Sequence, residues 1–130
     1  MGLFGWFGSS EEEKQEQQPL PWKPLRTMEQ LDKIEQQSKT RPVVIFKHST
    51  RCGISSMTLR RFEKHYDIPE EAIDLYYLDL LSFRDLSNEV AGRFQVWHQS
   101  PQMLIIQNGK AVAHASHHGI QPSMILQFIK

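Results

Sequence analysis

The chain has 130 residues but only one cysteine, Cys52. An intramolecular disulfide is therefore impossible, which excludes the disulfide-stapled scaffolds of small secreted proteins. Any disulfide chemistry has to pass through a bond between Cys52 and a second molecule. A lone cysteine is more often a small buried hydrophobic residue than a nucleophile. Its neighbours in the sequence must decide between these two interpretations.

Long apolar runs are also missing. The longest, residues 42–46 and 103–106, have the length of a strand and fall far below the roughly 18 residues of a transmembrane helix. The apolar start, residues 3–7, is too short for the core of a signal peptide and has neither a basic segment nor a cleavage site. We therefore expect a cytoplasmic protein that does not act at a membrane.

The chain has no net charge, with 15 basic and 15 acidic residues. This balance does not favour nucleic acid as a partner. Residues 39–62 depart from it, because they contain basic residues and no acidic one; the basic residues are Lys39, Arg41, Lys47, Arg51, Arg60 and Arg61. The pattern predicts a positive region around Cys52, in which Lys47 and Arg51 act on a thiolate and the last two form a solvated helix face.

Residues 1–22 are interpreted as a flexible N-terminal tail. Residues 9–18 are rich in glutamate and glutamine and offer no apolar residue to bury. The aromatic start of the tail could instead dock onto a partner or a membrane surface. Prolines at positions 19, 21 and 24 mark the entry to a single domain, residues 23–130.

Strand and helix signals alternate through this domain. A capped helix is predicted after Thr27, with Gln30 completing a capping box. Two further helices are predicted over residues 52–66 and 82–96, and a last one begins at Pro122 and ends at residue 129. The predicted strands are residues 42–46, 73–78, 102–106 and 110–116. Asn108-Gly109 predicts a hairpin turn between the last two strands. The class is α/β, and the β-α-β-α-β-β-α core with an extra N-terminal helix is that of the thioredoxin-like fold.

Cys52 lies where the first core strand gives way to a helix. Such a helix N-terminus has unpaired N–H groups and the positive end of a dipole, so it favours a thiolate. Cysteines in these settings have pKa values of roughly 3.5–7.5. We therefore interpret Cys52 as the nucleophile. Ser55 lies one helical turn further and either donates a hydrogen bond to the sulfur or bonds to nearby backbone; Thr50 could also donate to the sulfur.

Ser100-Pro101 directly precedes the third predicted core strand. A proline fits the first position of a strand, and an X–Pro bond is the kind that tolerates the cis form. A cis bond would present the backbone of Ser100 to an extended thiol substrate, as a short strand addition.

Residues 46–55, Phe-Lys-His-Ser-Thr-Arg-Cys-Gly-Ile-Ser, together with residues 98–102, His-Gln-Ser-Pro-Gln, resemble the bacilliredoxin-like YtxJ family of the bacillithiol system. The resemblance covers roughly residues 24–130. It implies a thioredoxin fold, a cis bond at Pro101 and a cytoplasmic monothiol oxidoreductase.

The resemblance also implies roles for individual residues. Cys52 attacks proteins S-thiolated by bacillithiol and takes the small thiol onto itself, while Ser55 occupies the place of a resolving cysteine. The residues expected to bind the substrate thiol are Lys47, Thr50, Arg51, Ser100 and Pro101. Bacillithiol is then a co-substrate, no tightly bound cofactor or metal is expected, and S-thiolated client proteins are the partners of a monomer.

A second resemblance keeps another function open. Residues 52–55, Cys-Gly-Ile-Ser, are similar to the Cys-Gly-Phe-Ser of monothiol glutaredoxins, which carry an iron–sulfur cluster. Those proteins have a Gly-Gly-Cys/Asp-Asp stretch before the last helix, where this chain has residues 117–121, His-His-Gly-Ile-Gln.

Two features depart from the bacilliredoxin-like pattern: Gly53 stands where some members have proline, and the tail is not part of the family core.

The histidines suggest two further sites. His114, His117 and His118 are close in sequence, but with no acidic residue nearby a solvated strand end is preferred to a metal site. His48 and His98 could assist proton transfer to a leaving thiolate, or could be ordinary hydrogen-bonded loop residues.

Overall fold

A computed structural model describes residues 20–49 and 53–129 of the chain. Within these ranges the strands are β1 (Lys23–Pro24), β2 (Val43–His48), β3 (Asp74–Asp79), β4 (Gln102–Gln107) and β5 (Lys110–Ser116). The α-helices are α1 (Met28–Gln37), α2 (Gly53–Lys64) and α3 (Arg84–Phe94), and short 3₁₀ helices span Glu70–Ala72, His117–Gly119 and Pro122–Phe128. None of the described helices has the length and apolar character to span a bilayer.

The strands form one mixed sheet in the order β1-β3-β2-β4-β5. Strand β3 runs parallel to both β1 and β2, whereas β4 runs antiparallel to β2 and pairs with β5 as a hairpin. This topology confirms the predicted thioredoxin-like fold. It brings the carboxyl ends of β2 and β3 and the start of β4 to the same edge of the sheet.

The central strand β2 is buried along its whole length, because helices cover both faces of the sheet. Val43 and Ile45 face a cluster built with residues of α1 and α3. Val44 and Phe46 face a second cluster, built with Phe62 of α2 and the C-terminal segment. The continuous apolar run that predicted this strand reflects burial on both sides.

The N-terminal boundary of the domain lies earlier than the sequence suggested. Trp22, which we had assigned to the tail, packs its ring against Phe46, Phe62 and Tyr77 and donates a 2.8 Å hydrogen bond from Nε1 to Glu63. The two residues that follow form β1, a strand too short to show a periodic pattern. Residues 20–22 therefore belong to the folded domain; residues 1–19 lie outside the described part of the chain.

The first helix and the hairpin turn agree with the predictions and contact each other. The Thr27 side chain accepts from the Gln30 backbone in a complete capping box. Asn108 and Gly109 have φ values of 54° and 76°, as a turn with positive φ at both central residues requires. Ser38 at the end of α1 accepts hydrogen bonds from both turn amides, through its carbonyl and its hydroxyl.

The last helix differs from the prediction, because Pro122–Phe128 is a 3₁₀ helix and not an α-helix. Its buried residues are Pro122 and Ile125, with Phe128 partly buried. A spacing of three residues aligns these side chains along a 3₁₀ helix, which has three residues per turn. Contact with the sheet therefore selects the tighter helix.

Asp74, a buried residue at the start of β3, forms ion pairs with two partly exposed cations. Its carboxylate accepts from Arg41 Nη2 at 2.6 Å and from Lys23 Nζ at 3.1 Å, which ties together the chain before β2, strand β1 and strand β3. Burial opposes ionisation of this carboxyl, but the hydrogen bonds from Arg41 and Lys23 outweigh it, so the pKa of Asp74 is lowered.

We predict that Asp74→Asn lowers the free energy of unfolding at pH 7 by about 1–2 kcal/mol, because charged hydrogen bonds are lost and both cations are partly screened by water. A carboxyl group whose pKa is lowered in the folded state contributes stability above its unfolded pKa of about 3.9. This contribution is lost as the pH falls below that value. The difference between wild type and variant in urea unfolding should therefore shrink from pH 7 to pH 3. The exposed Asp67→Asn is the control; a gap that stays constant with pH contradicts the prediction.

Candidate functional site

The candidate site lies at the edge of the sheet where β2 ends and α2 begins. Strand β2 ends at His48, and α2 starts at Gly53, the residue after Cys52 in the chain. Three predicted site residues, Thr50, Arg51 and Cys52, lie outside the described residues. The described groups around this gap are the last residues of β2, the first turn of α2 and the loop that precedes β4.

Ser55 is fully buried in the first turn of α2. Its Oγ accepts a hydrogen bond from the backbone N–H of Ser49 at 3.1 Å and lies 2.7 Å from Nδ1 of His48. Of the two contacts considered for Ser55, the structure shows bonding to nearby backbone. This links the start of α2 to the end of β2. A hydrogen bond to the sulfur stays a prediction.

His48 is buried next to this hydroxyl, with its ring 5.5 Å from that of Tyr77. Burial lowers the pKa of His48, and the nearby charges of Asp79 and Glu63 oppose that shift only in part. The ring is therefore neutral at pH 7. A neutral imidazole exchanges one hydrogen bond with Ser55, as donor or acceptor depending on its tautomer.

Lys47 occupies the other face of β2 and is also fully buried. Its Nζ donates to the carbonyl of Ser87 in α3 at 3.2 Å and to Nδ1 of His98 at 3.3 Å. Burial lowers the pKa of Lys47 to about 8. The sequence predicts a cation placed to act on a bound thiol. The structure instead holds the ammonium beneath the surface, so its contact with a substrate thiol stays a prediction.

The positive region expected from residues 39–62 is divided in the structure. Arg41 lies before the start of β2 and is engaged by Asp74, and Lys39 Nζ donates to Gln36. Strand β2 has six residues, which separates these two side chains from its far end by roughly 20 Å. Lys39 and Arg41 therefore do not contribute to the positive region predicted at the end of β2, because neighbours in sequence lie at opposite ends of a strand.

The loop before β4 contains the cis peptide bond Ser100-Pro101. Pro101 is buried, and its carbonyl accepts a hydrogen bond from His117 N–H at the end of β5. Ser100 is partly exposed. The cis bond implied by the family resemblance is thus present, on the strand next to β2 and at the edge where β2 ends.

Gln102, the residue directly after Pro101, is the β4 partner of Lys47. Its side-chain amide donates to the carbonyl of Trp97 at 2.9 Å, which fixes the loop of residues 97–101 to β4. Its Oε1 is buried and has no hydrogen-bond partner in the described part of the chain. A buried acceptor of this kind usually has a partner, either an ordered water or a ligand.

Large apolar side chains are exposed on the two segments that border the site. Ile54 and Met57 of α2 are 59% and 67% exposed, and Trp97 is 90% exposed. Arg60 and Arg61 are exposed on α2, in agreement with the predicted solvated face. His114, His117 and His118 are likewise exposed, which agrees with the interpretation of a solvated strand end.

Sequence reasoning missed the two polar clusters below the edge, Ser55 with His48 and Lys47 with His98. The available signal was the end of the apolar run of β2, where two polar residues follow directly. Alternation of side chains along a strand sends them to opposite faces. The partners Ser87 and Gln102 carried no sequence signal of their own.

Comparison with solved structures defines the class of the protein. A candidate oxidoreductase with a thioredoxin fold is 33% identical, with a TM-score of 0.68, covering 80% of this chain and 89% of that one. Thioredoxins from Malassezia sympodialis and Trypanosoma brucei brucei are similar in fold, at 21% and 24% identity and TM-scores of 0.62 and 0.57; each comparison covers 82% of this chain and 85% of the other. The chain is a thiol-disulfide oxidoreductase of the thioredoxin fold.

The family model described as monothiol bacilliredoxin BrxC matches residues 23–125. The chain therefore belongs to the monothiol bacilliredoxin family. A single cysteine agrees with the monothiol description.

We predict that Ser55→Ala destabilises the protein by about 1–3 kcal/mol, because it leaves the Ser49 N–H and the buried His48 ring without their shared partner. Urea unfolding at pH 7 measures the change. Ser56→Ala, on the adjacent and partly exposed position of the same helix, should be neutral or slightly stabilising because alanine is the better helix former. Equal effects of the two substitutions would show that the Ser55 contacts do not stabilise the site.

Proposed function

We propose that this protein removes bacillithiol from S-bacillithiolated proteins. The Cys52 thiolate attacks the bacillithiol sulfur of the mixed disulfide and forms a new disulfide with it. The bond between that sulfur and the client sulfur breaks, and the client leaves as a thiolate that takes a proton from water. No net oxidation occurs, because one disulfide replaces another.

One observation carries the proposal: the position that could hold a resolving cysteine is occupied by a buried, fully engaged Ser55. A hydroxyl cannot attack a disulfide in place of a thiolate. Cys52 therefore keeps the small thiol until a second thiol or redox protein from outside the chain removes it. This cycle is what a monothiol carrier of a small-thiol adduct requires.

The described surroundings of Cys52 support its ionisation. Helix α2 begins at the next residue and runs for 12 residues, so its N–H groups and dipole favour a negative charge before Gly53. Its first turn has no acidic residue. The neutral His48 adds no charge of either sign.

The loop before β4 supports binding of an extended substrate. In the described residues, no hydrogen bond is made to the backbone N–H or C=O of Ser100. A substrate chain that adds to this edge would bond there as a short strand. The exposed Ile54, Met57 and Trp97 supply apolar area for a client protein. We also propose that the protein acts as a monomer in the cytoplasm.

We predict that Cys52 is alkylated rapidly below pH 7. The pH dependence of its iodoacetamide reaction should have a midpoint in the range of roughly 3.5–7.5 found for cysteines at helix N-termini. A cysteine-containing peptide serves as control, with a midpoint near the free value of about 8.5. If the protein and the peptide share one midpoint, the activated-thiolate mechanism is wrong.

We predict that the wild type takes bacillithiol from a thiolated client, with a mass increase on Cys52 equal to one bacillithiol. Cys52→Ser should abolish this transfer, because serine cannot form the mixed disulfide, whereas Ser56→Ala should retain it. Intact-protein mass spectrometry follows both products. A client that loses its adduct equally fast with Cys52→Ser contradicts the proposal.

The same preparation tests the cluster-carrier alternative. Anaerobic purification followed by a visible spectrum would reveal a brown, cluster-bearing dimer if the protein carries iron and sulfur. A colourless monomer that accepts bacillithiol supports the oxidoreductase.

A further inference from the structure

We propose that His98 is a substrate-binding residue that donates a hydrogen bond from Nε2 to a carboxylate of the small thiol, and that the buried Lys47 is the positioning residue that holds it in this state. The inference rests on the proposed function, since it names how the same site recognises the adduct. It depends on the contacts of Lys47, His98 and Gln102.

The tautomer of His98 follows from its neighbour. An ammonium has only donors, so the 3.3 Å contact makes Nδ1 of His98 an acceptor. The hydroxyl of Ser87 lies 3.4 Å from the same nitrogen and can also donate to it. With Nδ1 unprotonated, the single ring proton of the neutral imidazole must be on Nε2.

The orientation of the ring places this proton on the accessible side. Lys47 Nζ is fully buried, whereas residue 98 as a whole is exposed. Since Nδ1 is held at the buried ammonium, the opposite edge of the ring, with Nε2, is directed away from Lys47. Burial and the charge of Lys47 both lower the pKa of His98, so the ring stays neutral at pH 7 and Nδ1 stays an acceptor.

The charge beneath the ring favours an anion. In the part of the chain that the structure describes, no carboxylate forms an ion pair with Lys47. A buried cation without such a partner is costly and commonly marks a functional site. Its field polarises the imidazole and strengthens the Nε2–H as a donor, which suits a carboxylate better than a neutral acceptor.

Two further features place a ligand at this loop. Trp97 and His98 line one shallow groove with Ala91, Gly92, Gln95 and Val96 at the end of α3. Gln102 lies opposite Lys47 on β4 and holds the Trp97 carbonyl, while its Oε1 stays buried without a partner in the described residues. Gln102 thus holds the loop to β4, and the exposed residues of the loop are followed directly by Ser100-Pro101.

The small thiol of the adduct is the occupant we assign to this donor. Bacillithiol bears carboxylates, whereas the attacking and leaving sulfur atoms are the same in any adduct. Recognition of the carboxylate therefore affects only adducts that carry one. A role toward the sulfur atoms would affect every adduct equally, and this difference makes the two roles separable.

The test uses one single-cysteine peptide carrying either bacillithiol or 2-mercaptoethanol in disulfide linkage. His98→Ala should slow transfer from the bacillithiol adduct by about tenfold, the loss expected for one charge-assisted hydrogen bond, and leave transfer from the 2-mercaptoethanol adduct within about twofold. Gln99→Ala, the exposed neighbour in the same loop, should change neither rate. An equal loss with both adducts, or no loss with either, overturns the proposal.

Nitrogen NMR of the histidine rings tests the positioning role without any turnover. We expect His98 in the wild type to be neutral with its proton on Nε2, and Lys47→Met to yield mixed tautomers and a higher pKa of His98. Titration with S-methyl bacillithiol, which cannot react, should shift the Nε2 resonance. A proton on Nδ1 in the wild type, or no shift on titration, rejects the inference even if transfer to Cys52 is observed; if the shift occurs without any transfer, the proposed function fails and the binding site stands.

Discussion

The structure depends on the burial of β2 on both of its faces. A strand covered on both sides must place successive side chains into two separate clusters, and its apolar residues do so along most of its length. The same alternation continues through its last two residues, which are polar. Lys47 is directed to α3 and the loop before β4, and His48 is directed to α2. One strand therefore supports both segments that border the candidate site.

These two polar residues are stabilised in different ways. His48 is kept neutral by burial and shares a hydrogen bond with the hydroxyl of Ser55, so no charge is left in the interior. Lys47 keeps its charge near neutral pH, although burial lowers its pKa to about 8. Its partners are a carbonyl and an imidazole, which satisfy its donors without cancelling its charge. No carboxylate in the described part of the chain forms an ion pair with this ammonium.

Replacement of a resolving cysteine by Ser55 changes what the fold can do. A second thiol at this position would let the protein release its own adduct by forming an internal disulfide. The hydroxyl instead bonds to the end of β2 and fixes the first turn of α2. The chain therefore has a single-thiol site, and a disulfide formed on Cys52 can be reduced only by another molecule. Membership of the monothiol bacilliredoxin family is consistent with this limit.

The sequence alone determined the element order, the hairpin turn and the capped first helix, because each is encoded in a local pattern. It did not reveal that Trp22 belongs to the core, since a two-residue strand has no periodicity. It also grouped Arg41 with Lys47 in one positive segment, although β2 holds their side chains toward its opposite ends. Only the tertiary structure paired Lys47 with His98 and His48 with Ser55. These contacts join residues from different elements, and no local sequence pattern indicates which distant residue will contact a buried polar group.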